Sequence, residues 1–209
     1  MTQLEGQPVI HRPKATALLA AMLLTALMPA ATTFAATPMN TNLLRNPGFE
    51  RIPTDASIPK WESDGDARVL RFGTESWPDQ AYGTRWGGGK RYLDCARNNG
   101  LVRQDVPFSD SRTERAGNRL NARLEVDFGG TTGHQIRVSL LATGGEYTES
   151  NTNFKTLEVT NHYKVIVVSI PDLPVGTTNI EVKVELIKKS GATNCKMVAD
   201  TLSLIVTRP

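Results

Sequence analysis

The clearest signal along this chain is a period of two. Leu120, Ala122, Leu124, Val126 and Phe128 alternate with Asn121, Arg123, Glu125 and Asp127. Ile136, Val138 and Leu140 alternate with Arg137 and Ser139, and Ile180, Val182, Val184 and Leu186 with Glu181, Lys183 and Glu185. Successive side chains of an extended chain point to opposite faces. Each run therefore predicts an antiparallel strand with one face on a core and the other on water. Val165 to Val168 is apolar without a break, which predicts a strand over Val165 to Ile170 buried on both sides. Met197 to Val206 sets Leu202, Leu204 and Val206 on one face. Shorter candidates lie upstream at Ala67–Phe72, Arg91–Ala96 and Leu101–Val106, the last ended by Pro107. Gly129-Gly130, Gly144-Gly145, Pro171 to Gly176 and Ser190-Gly191 punctuate the pattern. About eight to ten short strands at this spacing predict an all-β antiparallel sandwich or barrel.

The N-terminus breaks this pattern. His11, Arg12 and Lys14 precede an apolar, small-residue run from Ala15 to Leu27. Pro29 and the small-x-small sequence Thr33-Phe34-Ala35 follow. This reads as a signal peptide over residues 1–35, with a short linker over 36–41 and one domain over 42–207. The apolar run is short and alanine-rich for a membrane-spanning helix. A secreted protein, extracellular or in the cell envelope, is expected. Removing the signal takes the formal charge from +3 to roughly +2, with both signs interspersed. No basic stripe of the kind a nucleic-acid binder needs is present, since Glu114 interrupts Arg112-Thr113-Glu114-Arg115.

Two cysteines, Cys95 and Cys195, lie in the predicted domain. An even count in an exported chain favours a bridge, while two buried free thiols are the alternative. Asn46-Pro47-Gly48-Phe49, after Leu43 and Leu44 at the end of a short strand, reads as a type II turn with Gly48 at positive φ. Residues 51–66 are turn-rich, and Trp61 in that stretch reads as a core plug.

Taken together, the segments resemble a known pattern. Asn42-Leu43-Leu44, then Asn46-Pro47-Gly48-Phe49-Glu50, then Trp61 resembles the opening of galactose-binding-like jelly rolls, among them carbohydrate-binding modules of secreted bacterial glycosidases. Trp86-Gly87-Gly88-Gly89-Lys90, Gln104-Asp105-Val106, Phe128-Gly129-Gly130, Pro174-Val175-Gly176-Thr177 and Ala199-Asp200-Thr201-Leu202-Ser203-Leu204 continue it in order. The resemblance implies a jelly-roll sandwich. It also implies a structural calcium ion where the first and last strands meet, at Glu50 and Asp200. It supplies no ligand set residue by residue, and such a fold hosts many activities.

Candidate chemistry concentrates in the long loop over residues 73–90. Trp77, Tyr82 and Trp86 offer flat rings for the apolar faces of sugars, and Asp79, Gln80 and Arg85 offer polar partners. Packing of that loop onto the sheet is the competing reading. Gly87-Gly88-Gly89-Lys90 is no phosphate loop, because Thr84 stands where its first glycine belongs and Arg91 where Ser or Thr would hold magnesium. Beyond the signal only His134 and His162 remain, and neither Gly-x-Ser-x-Gly nor His-Glu-x-x-His occurs. The acids Glu62, Asp64 and Asp66 lack the spacing of an EF-hand loop. The expectation is a secreted non-catalytic module for an oligosaccharide or cell-wall polysaccharide. The alternatives are a structural or adhesive surface protein and, as an outsider, a glycan-acting hydrolase.

Overall fold

The computed structural model describes residues 37–51, 57–74, 78, 79, 81, 83, 89–109, 119–144 and 151–208. Within them run β1 (Glu62–Arg71), β2 (Arg91–Pro107), β3 (Asn121–Gly130), β4 (Gln135–Thr143), β5 (Asn151–Glu158), β6 (Lys164–Ile170), β7 (Asn179–Ile187) and β8 (Met197–Thr207). Every pairing is antiparallel, in the order β5-β4-β7-β2-β8-β3-β6, with β1 beside β2. Among the described residues no helix is long and apolar enough to cross a membrane.

The element that makes two layers of this path is β2, which is 17 residues long. Its second half, Gly100–Pro107, pairs with β7 and with Glu62–Gly65 of β1. Its first half, Arg91–Cys95, pairs with Ala67–Arg71 and meets β8 at Leu93 and Ala199. The β1–β2 pair thus belongs to a front sheet (β5-β4-β7-β2-β1) and to a back sheet (β6-β3-β8-β2-β1). Crossing from one to the other needs an irregularity in the ladder, and the register shifts between Gly65 and Ala67. Gly65 takes φ +64°, and a Cβ there would overlap the carbonyl of Asn99. Any other side chain would push the two strands apart.

The period-two runs supply the core between the layers. Leu124, Val126 and Phe128 of β3, Ile136, Val138 and Leu140 of β4, Ile180 to Leu186 at alternate positions of β7, and Leu202, Leu204 and Val206 of β8 are all buried. Each such side chain contributes roughly 1.5–3 kcal/mol of transfer free energy. Trp61 closes one end as expected. It is 6% exposed, its ring lies 5.5 Å from Phe49, and its indole N–H donates to the Asn46 carbonyl at 3.1 Å. Cys95 and Cys195 form a disulfide, so the free-thiol alternative falls.

Several expectations are corrected. The two strands expected at Arg91–Ala96 and Leu101–Val106 are one continuous β2. β1 begins at Glu62, so Glu62, Asp64 and Asp66 lie on a strand and not in a turn. The strand over Val165–Ile170 is an edge strand with one face open, and Val165 is 55% exposed. Leu43 and Leu44 form no strand. They belong to a strap held to β8 by single bonds, Asn40 N–H to the Val206 carbonyl (3.0 Å) and Leu43 N–H to that of Leu204 (2.9 Å). Asn46 to Phe49 does close a turn, with Phe49 N–H on the Asn46 carbonyl at 3.2 Å. Positive φ falls on Asn46 (54°) and Phe49 (56°), however, and not on Gly48, so the turn is not type II.

Gln104, buried to 5% exposure, fastens the strap and the Trp61 turn to β2. Its Oε1 accepts from Arg45 N–H (2.7 Å), and its Nε2 donates to the carbonyls of Arg45 (2.9 Å) and Lys60 (2.8 Å). Gln104→Ala strands three backbone groups. The expected cost is about 2–3 kcal/mol, read as a lower midpoint in urea with an unchanged slope.

Candidate functional site

The front sheet presents a face of aligned rows. Register places Glu62, Arg103, Lys183, Ser139 and Phe154 in one row across β1, β2, β7, β4 and β5. The next row runs Asp64, Leu101, Glu185, Arg137 and Thr156. At strand spacings of about 4.8 Å, such a row is on the order of 19 Å long. Phe154 is 62% exposed, the one aromatic ring among the exposed large apolar side chains of the described residues. The Arg137 guanidinium sits 6.0 Å from its centroid, donates to Thr156 at 3.2 Å and pairs with Glu185 at 3.2 Å. Glu185 also takes Lys183 at 2.7 Å, and Arg103 pairs with Glu62 at 2.6 Å. At the far end Leu101 floors two adjoining hollows. One of about 250 Å³ is lined by Glu62, Asp64 and Arg103, and one of about 180 Å³ by Asp64, Asn99 and Glu185. The face thus joins an open aromatic ring to hydrogen-bonding groups fixed by their partners. The back sheet differs, because Phe72, Tyr92, Tyr163 and Val198 pack into a second apolar cluster with Leu70.

A second site lies where the Asn46–Glu50 turn meets the back sheet. Asp200 on β8 is 1% exposed. Its Oδ1 accepts from Thr201 N–H at 2.7 Å, but its Oδ2 is buried without a hydrogen-bond partner among the described residues. Burial pushes the Asp200 carboxyl up to about 8. The Thr201 N–H opposes this, while the Glu50 and Asp127 carboxylates add to it. Asp127 stands opposite Asp200 in the β3–β8 ladder, and burial, with Glu125, raises its carboxyl to about 6. Glu50 Oε1 is held by the N–H groups of Lys90 (2.6 Å) and Arg91 (2.9 Å). Gly48 lies between the two acids: a Cβ there would stand 3.6 Å from Asp200 Oδ1 and 3.8 Å from Glu50 Cγ. A Cβ at Gly89 would overlap Glu50 Oε1. Gly89 therefore leaves room for the Glu50 carboxylate, whereas a Cβ at Gly48 would make only ordinary contacts. Glu50 and Asp200 thus flank Gly48, and Asp127, unforeseen, stands opposite Asp200 in the ladder. Among the described residues no three His, Cys, Asp or Glu side chains converge as a metal site. Backbone carbonyls would have to complete any coordination shell.

The expected ligand residues Trp77, Tyr82, Arg85 and Trp86 lie outside the described residues, as does Gln80. Asp79 is exposed. His134 is no candidate base: it is 3% exposed, and its Nδ1 accepts from Lys189 N–H at 2.9 Å. Burial, then Lys189 and Lys188, lowers its pKa. The residue that sequence reasoning missed is Phe154. Its only signal is a single aromatic side chain in the polar stretch Asn151–Glu158.

No family model and no curated protein sequence matches this chain. Solved structures do. TmCBM61, determined in complex with β-1,4-galactotriose, aligns at 17% identity over 80% of this chain and 99% of its own, with a TM-score of 0.53. A family 16 carbohydrate-binding module aligns at 15% identity over 78% and 99%, with a TM-score of 0.50. The enzymatically active domain of the bacteriophage CBA120 tailspike protein 4 aligns at 10% identity over 81% of this chain and 22% of its own, also with a TM-score of 0.50. The chain shares an antiparallel β-sandwich fold with these structures. At these identities the likeness is one of fold.

Proposed function

We propose that this chain is a secreted, non-catalytic carbohydrate-binding module and that its glycan lies across the front face. The observation that carries this is Phe154, 62% exposed in a row of polar side chains fixed by ion pairs. A pyranose has an apolar face that stacks on such a ring, and its hydroxyls pair with donors and acceptors beside it. Arg137 stands next to the ring for that role, and Lys183 and Glu185 follow on β7, two strands across. The row length suits an oligosaccharide or a segment of a cell-wall polysaccharide. The aromatic loop with Trp77, Tyr82 and Trp86 is a second place where such a chain would stack.

The test is calorimetry and affinity electrophoresis against a panel of neutral and charged polysaccharides. Phe154→Ala is expected to weaken binding by about 10- to 30-fold, on the scale of a central anchor residue. Trp77→Ala and Trp86→Ala report the loop in the same assay. Binding unchanged in Phe154→Ala but lost in the tryptophan variants would move the site to the loop. A panel without any ligand would favour the structural or adhesive reading.

We also propose that Glu50 and Asp200 hold a structural calcium ion. A buried carboxylate oxygen without a partner, on a carboxyl that Glu50 and Asp127 both push upward, is what an oxygen-liganded cation would satisfy. Calcium here ties the first turn to the last strand and supplies no chemistry.

A further inference from the structure

A different cavity, on the back-sheet side, has the opposite electrostatic character. It has a volume of about 170 Å³ and is lined by Arg68, Ala96, Arg97, Asn194, Cys195 and Lys196. Three of its six lining residues are cations and none is an acid. The disulfide explains their meeting. Cys95 and Cys195 bring their Cα atoms to 5.3 Å, and Cys195 N–H donates to the Ala96 carbonyl at 3.1 Å. Arg97 and Lys196, each close in sequence to one half-cystine, are thereby held on one rim. Like charges gathered at one hollow repel, and the covalent link maintains them there against that repulsion.

The nearby acids Asp94 and Asp66 offset part of the charge of Arg68 and Arg97, and Lys196 keeps its own. Asp94 pairs with Arg68 at 2.7 Å from below, with 7% side-chain exposure. Asp66 points its Oδ2 at the N–H groups of Arg97 (3.2 Å) and Asn98 (2.7 Å) and does not line the cavity. Lys196 has no ion-pair partner among the described residues, and neither do Lys188 and Lys189 on the same β7–β8 connection. The hollow is larger than one oxyanion needs. The Arg97 guanidinium offers a planar donor pair of the kind that recognises phosphate, whereas the Nε and Nη2 of Arg68 are held by Asp94.

We propose that this cavity is an anion site for a phosphate group, separate from the glycan face. Arg97 and Lys196 are its principal contacts, with Arg68 and the Asn194 amide beside them. The phosphate could be free or carried as a phosphodiester on a polymer, and the two sources call for separate probes. In thermal unfolding of the full chain, inorganic phosphate is expected to raise Tm by about 2–4 °C over chloride at equal ionic strength. Arg97→Gln with Lys196→Gln is expected to abolish that difference while leaving the far-UV spectrum and the disulfide intact. Poly(glycerol phosphate), added by titration, is expected to bind the unaltered chain more tightly than phosphate and to lose at least tenfold in the double variant. Retention of the polymer interaction alone by the unaltered chain would assign the site to a polymer. Retention of the phosphate effect alone would assign it to the free anion. Equal shifts in phosphate and chloride with no polymer binding, or an undiminished response in the double variant, would overturn the proposal.

Discussion

Asp200→Asn is expected to change sign with calcium: stabilising in chelator and destabilising in excess calcium. In the metal-free protein, Asp200 is an aspartate whose folded-state carboxyl titrates near 8, against 3.8 for the ordinary side chain. The folded chain therefore holds this proton through the window from about pH 4 to about pH 8, where the unfolded chain has released it. Stability must fall as pH rises through that window, the reverse of an aspartate held by a salt bridge. Asp127, raised to about 6 by burial and Glu125, adds to the fall in the lower half of the window. The neutral amide of the variant removes the larger share. At pH 8 in chelator the gain is expected to be on the order of 3 kcal/mol, short of the full linkage value because carboxylates relax and hydrate.

Calcium inverts the argument, since it needs the ionised carboxylate that the empty fold disfavours. At a concentration about a hundredfold above its dissociation constant, it is expected to stabilise the unaltered chain by about 2.7 kcal/mol and to flatten the pH slope. The Asp200→Asn variant loses that gain. Equilibrium unfolding of both proteins at pH 5 and pH 8, each with chelator and with calcium, gives the comparison. A substitution effect of one sign under all four conditions would remove calcium from this site.

The physical reason for what is and is not legible in the sequence differs from element to element. β3, β4 and β7 are plain because each has one face on the core and one on water, so the chain itself records their register. β5 is not, because an edge strand that covers little core needs few apolar residues, and Asn151–Glu158 is polar apart from Phe154 and Leu157. Apolar runs mislead in the other direction. Val165 to Val168 reads as doubly buried, yet among the described residues β6 has only β3 as a ladder neighbour and leaves Val165 open. β2 looks like two strands because Arg97-Asn98-Asn99 interrupts it, and those residues mark the passage between sheets. The carboxylate site is half legible. Glu50 and Asp200 come from a resemblance, whereas Asp127 looks like any outward residue of an alternating strand. Its proximity to Asp200 depends on a ladder whose register shifts by a bulge after Glu125. No local pattern encodes that shift. Phe154 escapes for a related reason: a binding face depends on which strands lie side by side, and β5, β4, β7 and β2 are far apart in sequence.

Removing the disulfide is expected to cost about 3–5 kcal/mol, among the largest effects available from outside the aliphatic core. Cys95 and Cys195 are separated by 100 residues. In the chain-entropy account, a closed loop of that size restricts the unfolded ensemble by up to about 4.7 kcal/mol. The native contribution points the same way. Cys95 is 0% and Cys195 2% exposed, so the double replacement Cys95→Ala, Cys195→Ala leaves a small void where two sulfurs were packed. The bridge also joins the first half of β2, the strand shared by both sheets, to the residues leading into β8. That β8 ladder meets β2 at only one residue pair, Leu93 and Ala199. Without the bond, the seam between the β7–β2 and β8–β3 parts of the path rests on side-chain packing, on the Leu93–Ala199 pairing and on the bond from Cys195 N–H to Ala96. Two observables separate the entropic and local contributions. An unfolded-state effect raises the denaturant slope of the bridge-free chain, because its unfolded ensemble exposes more surface. A local effect instead appears as faster hydrogen exchange at the backbone amides of residues 195 and 199, with the β4–β7 amides unchanged. A loss below about 1 kcal/mol with neither change would mean that the sandwich holds this seam without its covalent link.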